Sequence, residues 1–237
     1  MGTFLNDTLA GNPLTVAQLA VAHPGALSIF TKYNIDYCCG GHQSIEDACI
    51  RIGLDPEKIK KEIYEASASD AAHVLRPEKW SSTFLIDYIL QNHHSYIKEA
   101  IPEIIYLLEK VCVAHEDNSP ELIQIRKIFK NLAEELLNHM TKEEMILFPA
   151  LKRLEEMNSN DHPLKASVVA PITAMEHEHD SAGELIKAIR ILSADYTPPD
   201  FACPTYKITF KKLQEFDNDL MRHIHLENNI LFKRTKS

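Results

Sequence analysis

Glycine is scarce in this chain of 237 residues: there are seven, two of them adjacent at Gly40 and Gly41. No run of alternating β-branched residues reads as a paired strand. Long stretches carry helical periodicity instead, so the chain is predicted to be all-α. No apolar run reaches the ~18 residues of a membrane span. The segment from Met1 to Pro13 lacks the basic-then-apolar layout of a secretory leader. Positive charge is also in deficit. A formal net charge of −9 argues against nucleic acid, because binding phosphates needs a basic face. Cys38, Cys39, Cys49, Cys112 and Cys203 do not make a disulfide framework in a chain of this size. These absences point to a reduced, cytoplasmic protein that works on neither nucleic acid nor membrane.

What is present divides in two. Residues 1–72 read as a small domain of short helices. Thr15 caps one, Pro24 fits the first turn of the next, and Ser44 with Asp47 resembles a capping box. Asp55-Pro56 starts another, through Tyr64. A polar, small-residue linker is predicted from Ala66 to Glu78. Residues 81–237 read as four long helices. The first opens at Ser81 or Ser82 and runs to about Ala114, and the second opens at Ser119-Pro120 and reaches Met157. The third follows His162-Pro163, carries Pro171 near its start as a candidate kink, and ends near Ser193. The fourth starts near Pro204, after the loop Tyr196-Thr197-Pro198-Pro199. Short connections predict an up-down-up-down bundle.

The bundle repeats internally. His139 and Glu143 are followed by Ile146-Leu147-Phe148, and His223 and Glu227 by Ile230-Leu231-Phe232, an offset of 223 − 139 = 84. The first two helices are thus duplicated as the last two. Spacing of i,i+4 puts each His above its Glu on one helix face. That face is apolar: Ile128, Leu132, Leu136, Ile146 and Ala150 around His139, and Phe216, Leu220 and Ile230 around His223. An ionised glutamate in a core is costly unless it is paired or holds a cation. One such pair could be a buried hydrogen bond; two at equivalent places point to metal.

The odd-numbered helices each offer two histidines, and apolar phase selects between them. His94 shares a face with Leu90, Ile97, Ile101 and Leu108, whereas His93 falls about 100° away, toward the edge. His179 shares a face with Val168, Ile172, Met175, Ala182, Ile186 and Ile189, and His177 is out of phase. His94, His139, Glu143, His179, His223 and Glu227 are therefore the predicted metal ligands. Four imidazoles and two carboxylates are too many for one ion and suit two, each with two histidines, bridged by both glutamates. Such donors fit iron, manganese or zinc. Glu135, Glu144, Glu176 and Glu178 are candidates to orient the imidazoles, with solvated helix faces as the alternative. His93, His177 and His225 are expected at the rim or behind the ligands, and His23, His42, His73, His115 and His162 in or near solvated loops. Cys49, Cys112 and Cys203 are isolated and read as packing residues.

These residues resemble the hemerythrin-like (HHE) cation-binding bundle, with fewer histidines than the oxygen carriers. Tyr33-Asn-Ile-Asp-Tyr37-Cys38-Cys39-Gly40-Gly41 is similar to the signature of the small domain that precedes such a bundle in bacterial iron–sulfur cluster repair di-iron proteins. Glu176-His-Glu-His179-Asp-Ser-Ala-Gly-Glu and His223-Ile-His-Leu-Glu-Asn-Asn extend the likeness over nearly the whole chain. The resemblance implies two iron ions per chain, oxo-bridged when oxidised, with open positions for small ligands such as nitric oxide or oxygen. It implies repair of iron–sulfur proteins damaged by nitrosative or oxidative stress, by iron donation, by nitric oxide reduction at the centre, or by both. An oxygen or nitric oxide sensor or carrier signalling through the N-terminal domain is the alternative. Cys38 and Cys39, beside a Gly-Gly turn, form a candidate thiol pair for a sulfur, a nitrosyl group or a transferred iron; two buried cysteines ending a helix are the other reading. The N-terminal domain could dock on its own bundle or on a second subunit of a homodimer.

Overall fold

The computed structural model describes residues 8–9, 12–23, 25–69, 75–115, 117–157 and 163–236. Pro24, His73 and His162 lie outside these residues. The described part is almost wholly helical; its strands are two-residue segments, Thr8–Leu9 paired with Asn12–Pro13. None of its helices is long and apolar enough to cross a membrane.

The chain separates into two compact units. One contains residues up to Trp80 together with Ile224–Arg234; the other contains Ser81–His223 and Thr235–Ser237. In the first, α1 spans Val16–Ala22, α2 Ala26–Lys32, α3 Ile45–Arg51 and α4 Pro56–Ser69. Thr15 closes a capping box: Gln18 N–H donates to its hydroxyl at 3.2 Å, and its own N–H donates to Gln18 Oε1 at 2.9 Å. Ser44 accepts from Asp47 N–H at 3.1 Å to start α3. The helix begun at Pro56 continues to Ser69, so the predicted linker begins inside it. Small residues such as Ala66 and Ser67 are helix-compatible, and the turn before α2 packs on them: a Cβ at Gly25 would stand 2.6 Å from Ser67 N. Val16, Phe30, Ile45, Cys49, Ile59 and Ile63 form this unit's core.

The second unit carries the four-helix bundle. Its first helix, α5 (82–115), joins Ser82–Tyr88 to Ser95–His115 through a π-helical turn at Ile89–His94. The second, α6 (121–156), runs from Glu121–Lys142 through a π turn at Glu143–Leu147 into Phe148–Glu156. The third, α7, is Pro163–Leu192 and continues across Pro171. The fourth, α8 (204–236), runs from Pro204–His225 through a π turn at Leu226–Phe232 into Lys233–Lys236, and its stretch Ile224–Arg234 belongs to the first unit. Ser81 caps α5, and the Glu155 carboxylate accepts from Ser82 and Thr83 N–H at 2.6 and 2.8 Å. The α7–α8 turn holds Ala194, Asp195 and Tyr196 at φ of 48, 55 and 57°. Left-handed conformation is unfavourable for such residues. Tyr196 N–H donating to Ser193 Oγ at 3.0 Å and Tyr196 hydroxyl to buried Asp217 at 2.7 Å hold it. Asp217 also receives Arg190, whose Nη2 lies 2.6 Å from its carboxylate.

Candidate metal centre

Three bundle helices are locally widened where a predicted ligand sits. His94 ends the first π turn, Glu143 begins the second and Glu227 lies in the third. In the first two the closing bonds run five residues back, Ser95 N–H to Leu90 O and Phe148 N–H to Glu143 O. Such turns are concentrated at functional sites. The third helix, which supplies His179, is α-helical throughout.

All six predicted residues are buried, the two glutamates completely. His94 Nε2 lies 3.1 Å from His223 Nε2, and His139 Nε2 lies 2.9 Å from His179 Nε2. Glu143 Oε2 stands 3.5 Å from His94 Nε2 and 3.2 Å from His139 Nε2. Two groups of side chains each bring one ligand atom apiece to within 4.8 Å of one another: His94, Glu143, His223 and Glu227, and His139, Glu143, His179 and Glu227. Each histidine belongs to one group and both glutamates to both.

The outer nitrogens show why these imidazoles suit a cation. His94 Nδ1 meets Glu144 Oε1 at 2.8 Å, and Lys98 Nζ binds the same carboxylate at 2.7 and 2.9 Å. His139 Nδ1 meets Glu178 Oε2 at 2.9 Å, and Lys142 binds Glu178. A carboxylate at Nδ1 keeps the proton there and turns the Nε2 lone pair inward. Lone pairs converging beside a buried carboxylate repel unless a cation lies among them. The donor set thus fits metal ions. Burial opposes ionisation of Glu144, but hydrogen bonds from Lys98 and His94 hold its carboxyl below the usual range. Glu178 is likewise held low against burial by Lys142 and His139.

Two of the four candidate orienting glutamates do not reach a ligand. Glu135 pairs with Asn131, and Glu176 with Lys236. His93 is buried rather than at the edge, because the π turn at Ile89–His94 brings both neighbouring histidines inside. Its Nδ1 lies 2.9 Å from Asp219 Oδ1, and its ring stacks on His223 with centroids 5.7 Å apart. Sequence reading passed over Asp219, whose only signal is its place four residues before His223. His177 is exposed, while His225 is buried, its Nδ1 2.9 Å from the Asn229 amide. Ile146 also departs from expectation: it is 66% exposed, and Leu147, Phe148 and Leu151 are buried. The extra residue of the π turn rotates the residues after it out of the α-helical phase.

In the N-terminal unit, Cys38 Sγ lies 3.6 Å from Cys39 Sγ. Both backbone N–H groups donate to Asp36 Oδ1, at 3.2 and 3.1 Å. The contact with the Cys39 thiol, reinforced by burial and by Asp36, pushes the Cys38 thiol well above its ordinary range. A Cβ at Gly41 would stand 2.7 Å from Tyr37 O, so the turn after the cysteines requires glycine. Asn229 Nδ2 donates to that carbonyl at 2.9 Å, and the Tyr37 ring meets His225 edge-on at 5.6 Å.

A helical bundle with histidines and glutamates converging in its core defines a cation-binding protein of hemerythrin type. Residues 85–235 match the Hemerythrin HHE cation binding domain, and residues 13–67 match a domain of unknown function, DUF542. The chain is 37% identical over 222 residues to the iron–sulfur cluster repair protein YtfE of Enterobacter sp. (strain 638), covering 92% of this chain and 94% of that one. Proteins of the same name from Shigella boydii and Escherichia coli are 39% and 38% identical, with the same coverage. The chain therefore belongs to the hemerythrin HHE family and, within it, to the group of iron–sulfur cluster repair proteins. Membership of that family implies iron at the buried cluster.

Proposed function

We propose that this protein repairs iron–sulfur clusters damaged by nitrosative or oxidative stress, working in the cytoplasm on damaged iron–sulfur proteins. Its centre holds two iron ions, oxo-bridged when oxidised. His94 and His223 bind one, His139 and His179 bind the other, and Glu143 and Glu227 bridge them. The observation that carries this reading is the membership of both glutamates in both ligand groups. The names of the relatives support the cellular role.

Bound iron supplies labile metal for donation, or electrons for nitric oxide. The chain's own part is to hold the donors still. Glu144 and Glu178 fix the tautomers of His94 and His139, while Lys98 and Lys142 keep those carboxylates ionised. Cys38 and Cys39 serve as an accepting thiol pair for a sulfur, a nitrosyl group or an iron in transit. The buried Cys38 keeps its proton, so the part-exposed Cys39 opens the exchange.

Metal content of anaerobically purified protein tests the centre. About two irons per chain are expected; Glu143→Ala or Glu227→Ala should empty both positions, and His179→Ala should leave about one. Loss of a single ion in either glutamate variant rules out bridging. Cluster repair is tested by restoring a nitric-oxide-damaged [4Fe–4S] enzyme with the iron-loaded protein. Undiminished repair by the Cys38→Ser, Cys39→Ser variant removes the cysteines from the mechanism.

A further inference from the structure

Cys203 is not the packing residue its isolation in the sequence suggests. It is partly exposed and immediately precedes Pro204, the first residue of α8. Its Sγ lies 3.2 Å from His115 Nε2, at the last residue of α5. Tyr206 N–H points at the same sulfur from 3.5 Å, in the position of a helix-capping donor. The His115 ring neighbours two aromatic rings: Tyr206, edge-on at 5.5 Å, and Phe201, tilted at 6.4 Å. Phe201 is 55% exposed, so one wall of the pair faces solvent. A base at hydrogen-bonding distance, a helix N–H aimed at the sulfur and a fixed ring orientation are what a nucleophilic thiol needs. Along α5 the pair stands 115 − 94 = 21 residues from His94, roughly 30 Å at 1.5 Å per residue. The arrangement is thus independent of the metal centre.

We propose that Cys203 and His115 form a second thiol site, which takes up low-molecular-weight disulfides as a mixed disulfide. His115 Nε2 accepts the thiol proton, and the Cys203 sulfur attacks one sulfur of the small disulfide. The new S–S bond forms as the old one breaks, and the departing thiolate takes the proton back from the imidazolium. The incoming disulfide is the oxidant and is reduced to one thiol; Cys203 is oxidised. The adduct removes the sulfur from Tyr206 N–H and places a polar group beside Phe201.

The test is treatment of the full-length protein with glutathione disulfide at pH 7, quenched at intervals and followed by peptide mass mapping of all five cysteines. Cys203 is expected to react about tenfold faster than cysteine in an unfolded control peptide. His115→Gln should lower its rate to that of the control without changing the melting temperature or the iron content. Should that variant not fold, Cys203→Ser serves instead: the first adduct formed on the wild type must disappear. A Cys203 rate equal to the control peptide's, an unchanged rate in His115→Gln, or a first adduct that maps to Cys39 overturns the proposal.

Discussion

The two His-x-x-x-Glu segments carry the same tail, Ile-Leu-Phe, and use it differently. After Glu143, the five-residue π turn leaves Met145 and Ile146 73% and 66% exposed. In the fourth helix the π turn is seven residues long, and Ile230, the counterpart of Ile146, is 5% exposed. The neighbours differ in kind. At the offset of 84, Met145 becomes Asn229, Thr141 becomes His225 and Ala133 becomes Asp217. Asn229 and His225 engage Tyr37, and Asp217 anchors Arg190 and Tyr196. The cation-binding residues are the same in both copies, while the residues around them differ, and those of the fourth helix also hold Tyr37 and the α7–α8 turn. Ligand geometry and packing duty are separable in this helix.

Substitutions at matched positions of the two copies separate these duties. Asp217→Ala strands the part-buried Arg190 guanidinium and the buried Tyr196 hydroxyl, whereas its counterpart is already alanine. A loss of about 3–5 kcal/mol in denaturant unfolding is expected. Ile230→Ala should cost roughly 2–5 kcal/mol, and Ile146→Ala about 0.5 kcal/mol or less, in paired thermal melts of identical substitutions. Equal losses would mean that the copies are packed alike. Asn229→Met, which imports the residue of the second helix, should cost about 1–2 kcal/mol and speed alkylation of Cys38 and Cys39 by freeing the Tyr37 carbonyl. Glu155 serves the start of α5, accepting from Ser82 and Thr83 N–H. Burial raises its pKa, but the N–H groups of Thr83 and Ser82 win and hold it below the usual carboxylate range. With the folded pKa depressed, its stabilisation is full above the unfolded value and fades as pH falls through the folded one. Glu155→Gln should therefore lower stability by about 1 kcal/mol at pH 7 and match wild type in acid.

Legibility from sequence tracked helix regularity. The six residues assigned to the His179 face, from Val168 to Ile189, are all buried, and α7 is the one bundle helix without a π turn among those described. In α5 and α6 the departures from that periodicity, His93 and Ile146, lie inside the π turns, while Ile97, Ile101 and Leu108 beyond the first turn are buried as expected. No composition signal marks a π turn, because its dihedrals stay close to helical. The ligand residues themselves were legible because i,i+4 spacing survives within a single turn. Choosing Glu144 and Glu178 over Glu135 and Glu176 required knowing which neighbouring helix each one faces. The meeting of His115 with Cys203 joins the ends of two helices 88 residues apart, which no local pattern records.

A π turn contains one residue more than the α turn it replaces. Deletions in helices ordinarily rotate the whole downstream segment by about 100° and ruin the packing. Here the reverse holds: removing one residue from Glu143–Leu147 restores an unbroken α-helix with both flanks still in register. Binding chemistry in this fold is thus written partly in chain length, as surplus residues that the scaffold does not need.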